Sequence, residues 1–482
     1  MRQLLGRTSE LKLSFTMFSH VTPGDNTVNK TLKHKIGRRR ILQWMIGLPF
    51  ISVTKALAED PLNIGSVTSV APRLEMQGKL ATKTEILEGQ HQAPMLTRGS
   101  QTALDGAIAM YAEIVSSGGW PQLPKTPISK TSNATLIHLL RERLVREGYL
   151  QFDALSSPLA SSWDSALTNA IKAFQYNHGS RASGVIDERT RQEMNITAEG
   201  RLYSLKENLP RVAEYARDLG PRYIAVNIPS AQLEAVDDGQ LYSRHNVVVG
   251  KLDRPTPALK SHVTDIVFNP TWNAPASIVA KDIIPKMLSD KNYMHRLDIH
   301  VFDGQNGPEI DPNTVDWQAT APDRYVFKQS PGDLNALAQV KINFANKFMV
   351  YMHDTPHREL FTTNGRWESS GCVRVDQVKK LITWVINGIA GYDEANFDPI
   401  IQSRQTQQLK IAHGPDVRFM YLTAWATQDG RVNFRPDIYK LDGKNFILGQ
   451  PDAQLNDAQT AAQTAISNSV QHGPRISAAD SQ

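Results

Sequence analysis

The sequence predicts a multidomain protein. A mostly-β domain, built as a sandwich or mixed sheet with short helices and a lid-like insertion, follows a small three-helix domain. Three observations carry this expectation. At 482 residues the chain is too long for one ordinary hydrophobic core. Between 131 and 195 apolar residues recur at helical spacing, whereas from 222 onward they alternate as in strands, broken by Gly, Pro and Asp turns. Hydrophobic content of 40% and charged content of 21% match a chain most of which folds.

The net charge of +5 is unevenly placed. Residues 1–58 hold ten of the 53 basic residues and two of the 48 acidic ones, so the remainder carries −3. The basic character belongs to the leader and does not argue for nucleic-acid binding. In that leader a basic cluster (Lys33 to Arg40) precedes the apolar run Ile41 to Val53, and "ALA" at 56–58 offers small residues before a cut. This is the layout of an export signal, and the run is too short to span a bilayer comfortably. "RRRIL" at 38–42 resembles a twin-arginine signal, and Lys55 near the cut suits that route. The plainer reading is an uncleaved anchor.

Residues 59–100 lack a sustained period and read as a flexible linker. A helical lead-in follows over 101–130, stopped by "GGWP". The small domain spans 131–197, with helices in "TLIHLLRERLVREGYL" and "WDSALTNAIKAFQYNHG" and a third capped by Asp187. "RLYSLKENLPRVAEYARDLG" predicts a connecting helix within 198–220. The β domain is expected over 221–447. Its strands are expected from 222 around a "DDG" turn, then at 262–268, 346–352, 417–426 and 431–435. An insertion of helices and loops is expected at about 275–330, a helix over 377–389, and a disordered tail over 448–482.

Cys372 is the single cysteine, so the chain forms no internal disulfide, and a free thiol in an exported protein calls for a reason. In "YMHDTPHRELFTTNGRWESSGCVRV", His353 stands nineteen residues before it. A free thiol has a pKa of about 8.5 and attacks as thiolate; a nearby imidazole takes its proton and returns it to a leaving amine. The tight "SSG" turn exposes the sulfur, and backbone N–H groups around Ser370 and Gly371 are candidates for an oxyanion site. Two residues on, Arg374 shares a strand face with Cys372 and is a candidate to steady a carboxylate or a loop carbonyl. The bland readings are a buried small apolar cysteine, a core histidine and a structural arginine. Trp272, Tyr351 and Trp367 either line a cleft or pack in the core, and His357 is expected to be solvated.

The block Ser369-Ser370-Gly371-Cys372-Val373-Arg374, preceded by a histidine-bearing strand, resembles the YkuD-type L,D-transpeptidase family. "GGWPQLP", "VVVGKLDRPTP", "FNPTWNAPASI" and "HDTPHRELF" are similar to its larger, YcbB-like branch, so the likeness covers roughly 103–445. "REGYL", "AIKAFQYNHG" and "GVIDERT" make 131–197 resemble a peptidoglycan-binding-like module, with a plain helical spacer as the bland alternative. The resemblance implies a YkuD-like catalytic domain with Cys372 as nucleophile and His353 as base, and neither metal nor cofactor. It implies acylation on the third residue of a peptidoglycan tetrapeptide stem, release of D-alanine and a 3→3 cross-link. It also implies peptidoglycan stem peptides as partners, carbapenem-type inhibitors, and a periplasmic location associated with the cell wall. Relatives differ at the positions of Ser370 and Asp354, so the group that orients the imidazole does not carry over. Asp354 is the candidate, by side chain or by carbonyl. Three alternatives stand beside this reading: a hydrolase of the same fold, an enzyme that joins or detaches an envelope protein, and a non-catalytic wall-binding protein.

Overall fold

The computed structural model of the chain describes residues 82–84, 92–389, 392 and 394–444. The expected export signal, most of the expected linker and the expected tail lie outside the described residues. Among the described residues no helix is long and apolar enough to cross a membrane.

Helix α1 (Ser100–Ser116) forms most of the lead-in. The three α-helices of the small domain follow as α2 (Ala134–Arg146), α3 (Ser165–Asn177) and α4 (Glu188–Met194), with one 3-10 turn at Phe152–Leu155. Each α-helix starts where a side chain satisfies an orphan amide: Asn133 accepts from the Leu136 N–H, Asp164 from Leu167 and Asp187 from Thr190. Leu140, Leu144, Leu167, Ile171, Phe174 and Met194 close one core between them. Helix α5 (Ala198–Ala216) does more than connect. It packs along α1, and Leu205, Val212 and Tyr215 share a core with Leu104 and Tyr111.

The β domain opens with β1 (Arg222–Asn227), β2 (Gln232–Asp237), β3 (Gln240–Gly250) and β4 (Leu259–Phe268), with the expected turn between β2 and β3. An insertion then carries β5 (Trp272–Asn273), a run of helical turns over 276–289, β6 (Ile299–Phe302), β7 (Glu309–Ile310) and β8 (Val326–Gln329). The main sheet resumes as β9 (Val340–Phe344), β10 (Met352–His353), β11 (Trp367–Ser369), β12 (Val373–Val375), α6 (Val378–Val385), α7 (Glu394–Gln402), β13 (Gln407–Lys410) and β14 (Asp416–Met420). A hairpin of β15 (Ala424–Ala426) and β16 (Val432–Phe434) packs beside α1 and α5.

The strand order is β11-β3-β12-β10-β9-β4-β14-β1-β2, with β13 on β4, and β2 also pairs with β3. The long strands β3 and β4 therefore serve two half-sheets each. The first half of β3 pairs with β2 and its end with β12 and β11; β4 takes β14 first, then β9 and β13. Pairs β1–β14, β10–β12 and β11–β3 are parallel and the others antiparallel, so the sheet is mixed as expected. Its apolar faces and the buried Val378, Leu381, Ile382 and Val385 of α6 form one core.

Three expectations need correction. Residues 92–99 are no flexible linker: Met95 and Leu96 are buried, the Met95 N–H donates to Glu234 at 2.7 Å and the Tyr223 hydroxyl donates to the Leu96 carbonyl at 2.5 Å. Two apolar residues suffice to tie an otherwise polar stretch to the domain. The strand expected at 346–352 is mostly a turn. The Asn346 side chain accepts from the Phe348 and Val350 N–H groups and donates to the Phe344 and Val350 carbonyls, which leaves strand only at 352–353. The insertion is not merely helix and loop. Its strands form a sheet, β5-β8-β6-β7, over a separate core of Val279, Ile283, Met294, Val301, Trp317 and Phe327.

Candidate active site

Parallel pairing of β10 with β12 sets the site. Met352 lies opposite Val373 and His353 opposite Arg374, so the short strand after the cysteine carries Arg374 to the histidine's side. Cys372, just ahead of β12, is half-buried. Gly371 has φ +113°, a conformation L side chains rarely adopt, while a Cβ there would meet only ordinary contacts at 3.6 Å and beyond. The glycine is thus required by backbone shape rather than by space. Ser369 fastens the turn: its Oγ accepts from the Gly371 N–H at 3.1 Å and donates to the Cys372 carbonyl at 2.6 Å. Thr256 fastens it from the β3–β4 loop by donating to the Gly371 carbonyl at 2.8 Å, and itself accepts from the Gly250 N–H at 2.8 Å.

The imidazole of His353 is buried, and its Nδ1 lies 2.5 Å from the Asp354 carbonyl. Read as an N–H donor to that oxygen, Nδ1 fixes the tautomer and leaves the Nε2 lone pair as base. Burial first, then the Arg374 charge, push the imidazole down from its ordinary 6.5 to about 3. Burial pushes the Cys372 thiol up, against opposing hydrogen bonds from Tyr351 and the charges of Lys341 and Arg374. Burial thus disfavours both the thiolate and the imidazolium. The Lys341 ammonium sits 4.2 Å from the centre of the Tyr351 ring. Lys341 and Arg374 are held partly out of water beside the Cys372 sulfur.

Cys372, His353, Arg374, Tyr351, Ser370 and Trp272 line one cavity of about 270 Å³, whose other wall is the helical run of the insertion. Arg254 bridges the two walls. Its guanidinium pairs with Asp282 of the insertion, through Nη2 at 2.9 Å, and donates through Nη1 to the Ser370 hydroxyl at 2.8 Å. Among the described residues no group of three or more His, Cys, Asp or Glu is placed to hold a metal ion.

The residues singled out in the sequence mostly converge. Cys372, His353, Arg374, Tyr351 and Ser370 share the cavity, with Gly371 at its turn. Gly371 shapes the turn and is not an oxyanion donor here, because its N–H is already held by Ser369. Ser370 holds the latch to Arg254 through its hydroxyl. Asp354 acts on the imidazole through its carbonyl, while its buried carboxylate accepts from Arg358 at 3.1 Å. His357 is exposed beside Glu359, as expected. Trp272 lines the cavity, whereas Trp367 lines a different cleft. Sequence reading missed Lys341, Arg254, Thr256 and Asp282. Lys341 enters because β9 sets it opposite His353, a register that no local pattern announces.

Residues 221–391 match the family model of the L,D-transpeptidase catalytic domain, YkuD, and residues 133–194 match that of a "Putative peptidoglycan binding domain". The two matches fall on the β domain and on the helical domain respectively. A Haemophilus influenzae protein named "Putative L,D-transpeptidase" is 37% identical over 220 residues, which are 45% of this chain and 44% of that protein. The chain therefore spans less than half the length of that relative. Solved structures with some likeness include L,D-transpeptidase 1 of Mycobacterium tuberculosis, at 10% identity, 42% of this chain, 61% of that one and a TM-score of 0.19. An L,D-transpeptidase of Xylanimonas cellulosilytica matches at 14% identity, 62% of this chain, 98% of that one and a TM-score of 0.21.

Proposed function

We propose that the protein is a cysteine-dependent L,D-transpeptidase that cross-links peptidoglycan stems outside the cytoplasmic membrane. One observation carries the reading: Cys372 and a tautomer-fixed His353 open into the same cavity, beside Lys341 and Arg374, which make no direct ion pair among the described residues. In the first step His353 Nε2 takes the thiol proton as the sulfur attacks the carbonyl of the third stem residue. The tetrahedral oxyanion and the sulfur share the positive field of Lys341 and Arg374. An imidazole with so low a pKa is a weak base, but once protonated it is a strong acid. It gives its proton readily to the amine of the departing D-alanine. A thioester remains. The side-chain amine of diaminopimelate on a second stem attacks it, His353 takes that amine's proton, and the thiolate leaves and is reprotonated. The product is a 3→3 cross-link.

The insertion serves as a lid, latched by Arg254 to Asp282 and Ser370. The helical module holds the glycan or stem near the site. The leader directs export to the periplasm, and carbapenems acylate the same sulfur. Incubation of the protein with a tetrapeptide-bearing disaccharide, followed by mass spectrometry of the products, tests the reaction. Cross-linked dimers with free D-alanine support it. Monomeric tripeptide alone makes the protein a hydrolase of the same fold.

A further inference from the structure

A second cleft, of about 190 Å³, lies where the helical module meets the catalytic domain. Four arginines line it: Arg181 and Arg189 from the module, Arg366 ahead of β11, and Arg435 after β16. No acidic side chain lines it, and among the described residues none of the four makes an ion pair. Their hydrogen bonds go to carbonyls instead. Arg435 donates to Asn177 and Phe434 at 2.8 and 2.7 Å, Arg189 to Gly179 at 3.1 Å, and Arg366 to Ala231 and Thr363 at 3.0 Å each. Carbonyls orient a guanidinium without neutralising it, so the cleft concentrates positive charge in a partly buried place.

The local backbone is shaped to allow this. Gly179 ends α3 at φ +66°, and a Cβ there would fall 2.6 Å from Arg435 Cδ. The residue that stops the helix thus also makes room for the arginine. Burial, with Arg244 and Arg189 nearby, disfavours the charge on Arg435 and holds its pKa down to about 10, a cost that a bound anion relieves. Two donors on the lining, Ser180 Oγ and Trp367 Nε1, are buried without a hydrogen-bond partner. Pro229, Pro436 and the Trp367 ring supply apolar wall, which suits the aliphatic part of an amino acid better than it suits an inorganic ion.

We propose that this cleft is a binding subsite for a carboxylate of a peptide ligand, held by guanidinium groups of both domains. Resting on the transpeptidase reading, that ligand is a peptidoglycan stem other than the one being cleaved. Bound there, it joins the module to β11, the strand that leads into the catalytic turn.

Calorimetric titration of the full chain carrying Cys372→Ala tests this, with a tetrapeptide-bearing disaccharide and with the same compound amidated at its carboxylates. Amidation is expected to weaken binding about tenfold. In the further variant Arg181→Gln/Arg189→Gln the same amidation is expected to cost less than threefold; an unchanged penalty overturns the subsite. Arg435→Gln is expected to act likewise. Because its burial puts folding at risk, the surface pair carries the decision. Inorganic phosphate is expected to compete no better than acetate, and competition ten times stronger overturns the carboxylate assignment. Meropenem acylation of Cys372, measured with the cysteine restored, is expected to change less than twofold in the arginine variants. If that acylation fails in the unaltered protein while the amidation penalty persists, the catalytic reading falls and the subsite stands.

Discussion

Two of the buried groups of ionisable side chains among the described residues are built oppositely. In the helical module Glu147 is fully buried and surrounded. It accepts from Arg143 at 2.8 Å and from the Tyr111 hydroxyl at 2.6 Å, with His178 at 3.7 Å and Lys83 bonded to Tyr111. Despite burial, the charges of Arg143 and Lys83 hold its carboxyl far below the usual range. In the β domain Lys341, Arg374 and His353 are also withdrawn from water, but among the described residues Lys341 and Arg374 make no direct ion pair, only longer-range attraction from Asp265 and from Glu359 and Glu368, and His353 and Arg374 border a cavity. A buried charge whose partners surround it is a structural pin. Buried cations around a nucleophile and an opening form a field waiting for negative charge. The difference teaches that a perturbed pKa is informative only together with what the group faces.

Substitutions in the two regions should separate along that line. The largest effect is expected from His353→Gln, which removes the base while keeping a polar side chain. Acylation of Cys372 should slow roughly 10²–10⁴-fold, read by stopped-flow with a carbapenem, with little loss of stability at neutral pH. Glu147→Gln should do the reverse. It strands Arg143 and should cost about 3–5 kcal/mol in denaturant unfolding, while activity per folded molecule is unchanged. A collapse of activity in the folded Glu147→Gln protein would break the contrast.

Gly371→Ala lies between the two. Forcing an L side chain to φ +113° should cost about 1–3 kcal/mol and displace the sulfur, so both unfolding and acylation rate should respond. Lys341→Met should remove one charge from the field, slowing acylation about tenfold, the equivalent of about 1.4 kcal/mol, with a melting temperature near that of the parent.

A further effect is on pH dependence. The native state withholds from His353 a proton that the unfolded chain binds near its ordinary 6.5, and takes it only at about 3. The unfolded state therefore binds more protons in that window. This contribution to stability is complete above 6.5 and declines as pH falls toward 3. His353→Gln should flatten the decline, leaving the part due to His178, which burial likewise holds low. The same shift predicts no limb near pH 6.5 in the acylation profile of the free enzyme.

What could be read from the sequence follows the distance over which each feature is encoded. Cys372, Gly371 and Arg374 are neighbours in one turn and strand, and His353 lies on the same segment, so their grouping was legible. The three helices of the module announce themselves by spacing, and the third by Asp187 at its start, whereas the caps Asn133 and Asp164 emerged only in the structure. Lys341 was hidden because its place depends on the register of β9 against β10. Arg254 and Asp282 were hidden because their pairing crosses from the β3–β4 loop to the insertion. Phe348, Met349 and Val350 resemble a strand until Asn346 is seen to fold them into a turn. The strands of the insertion, two to four residues each, are too short to show alternation.

The central claim is that Cys372 is the group that carries the acyl chain. Intact-mass measurement of the full-length protein with a tetrapeptide-bearing disaccharide, followed by peptide mapping, addresses it directly. The account predicts an adduct equal to the substrate less D-alanine, located on Cys372 and absent from Cys372→Ala. An adduct on any other residue, or one that persists in Cys372→Ala, would contradict it.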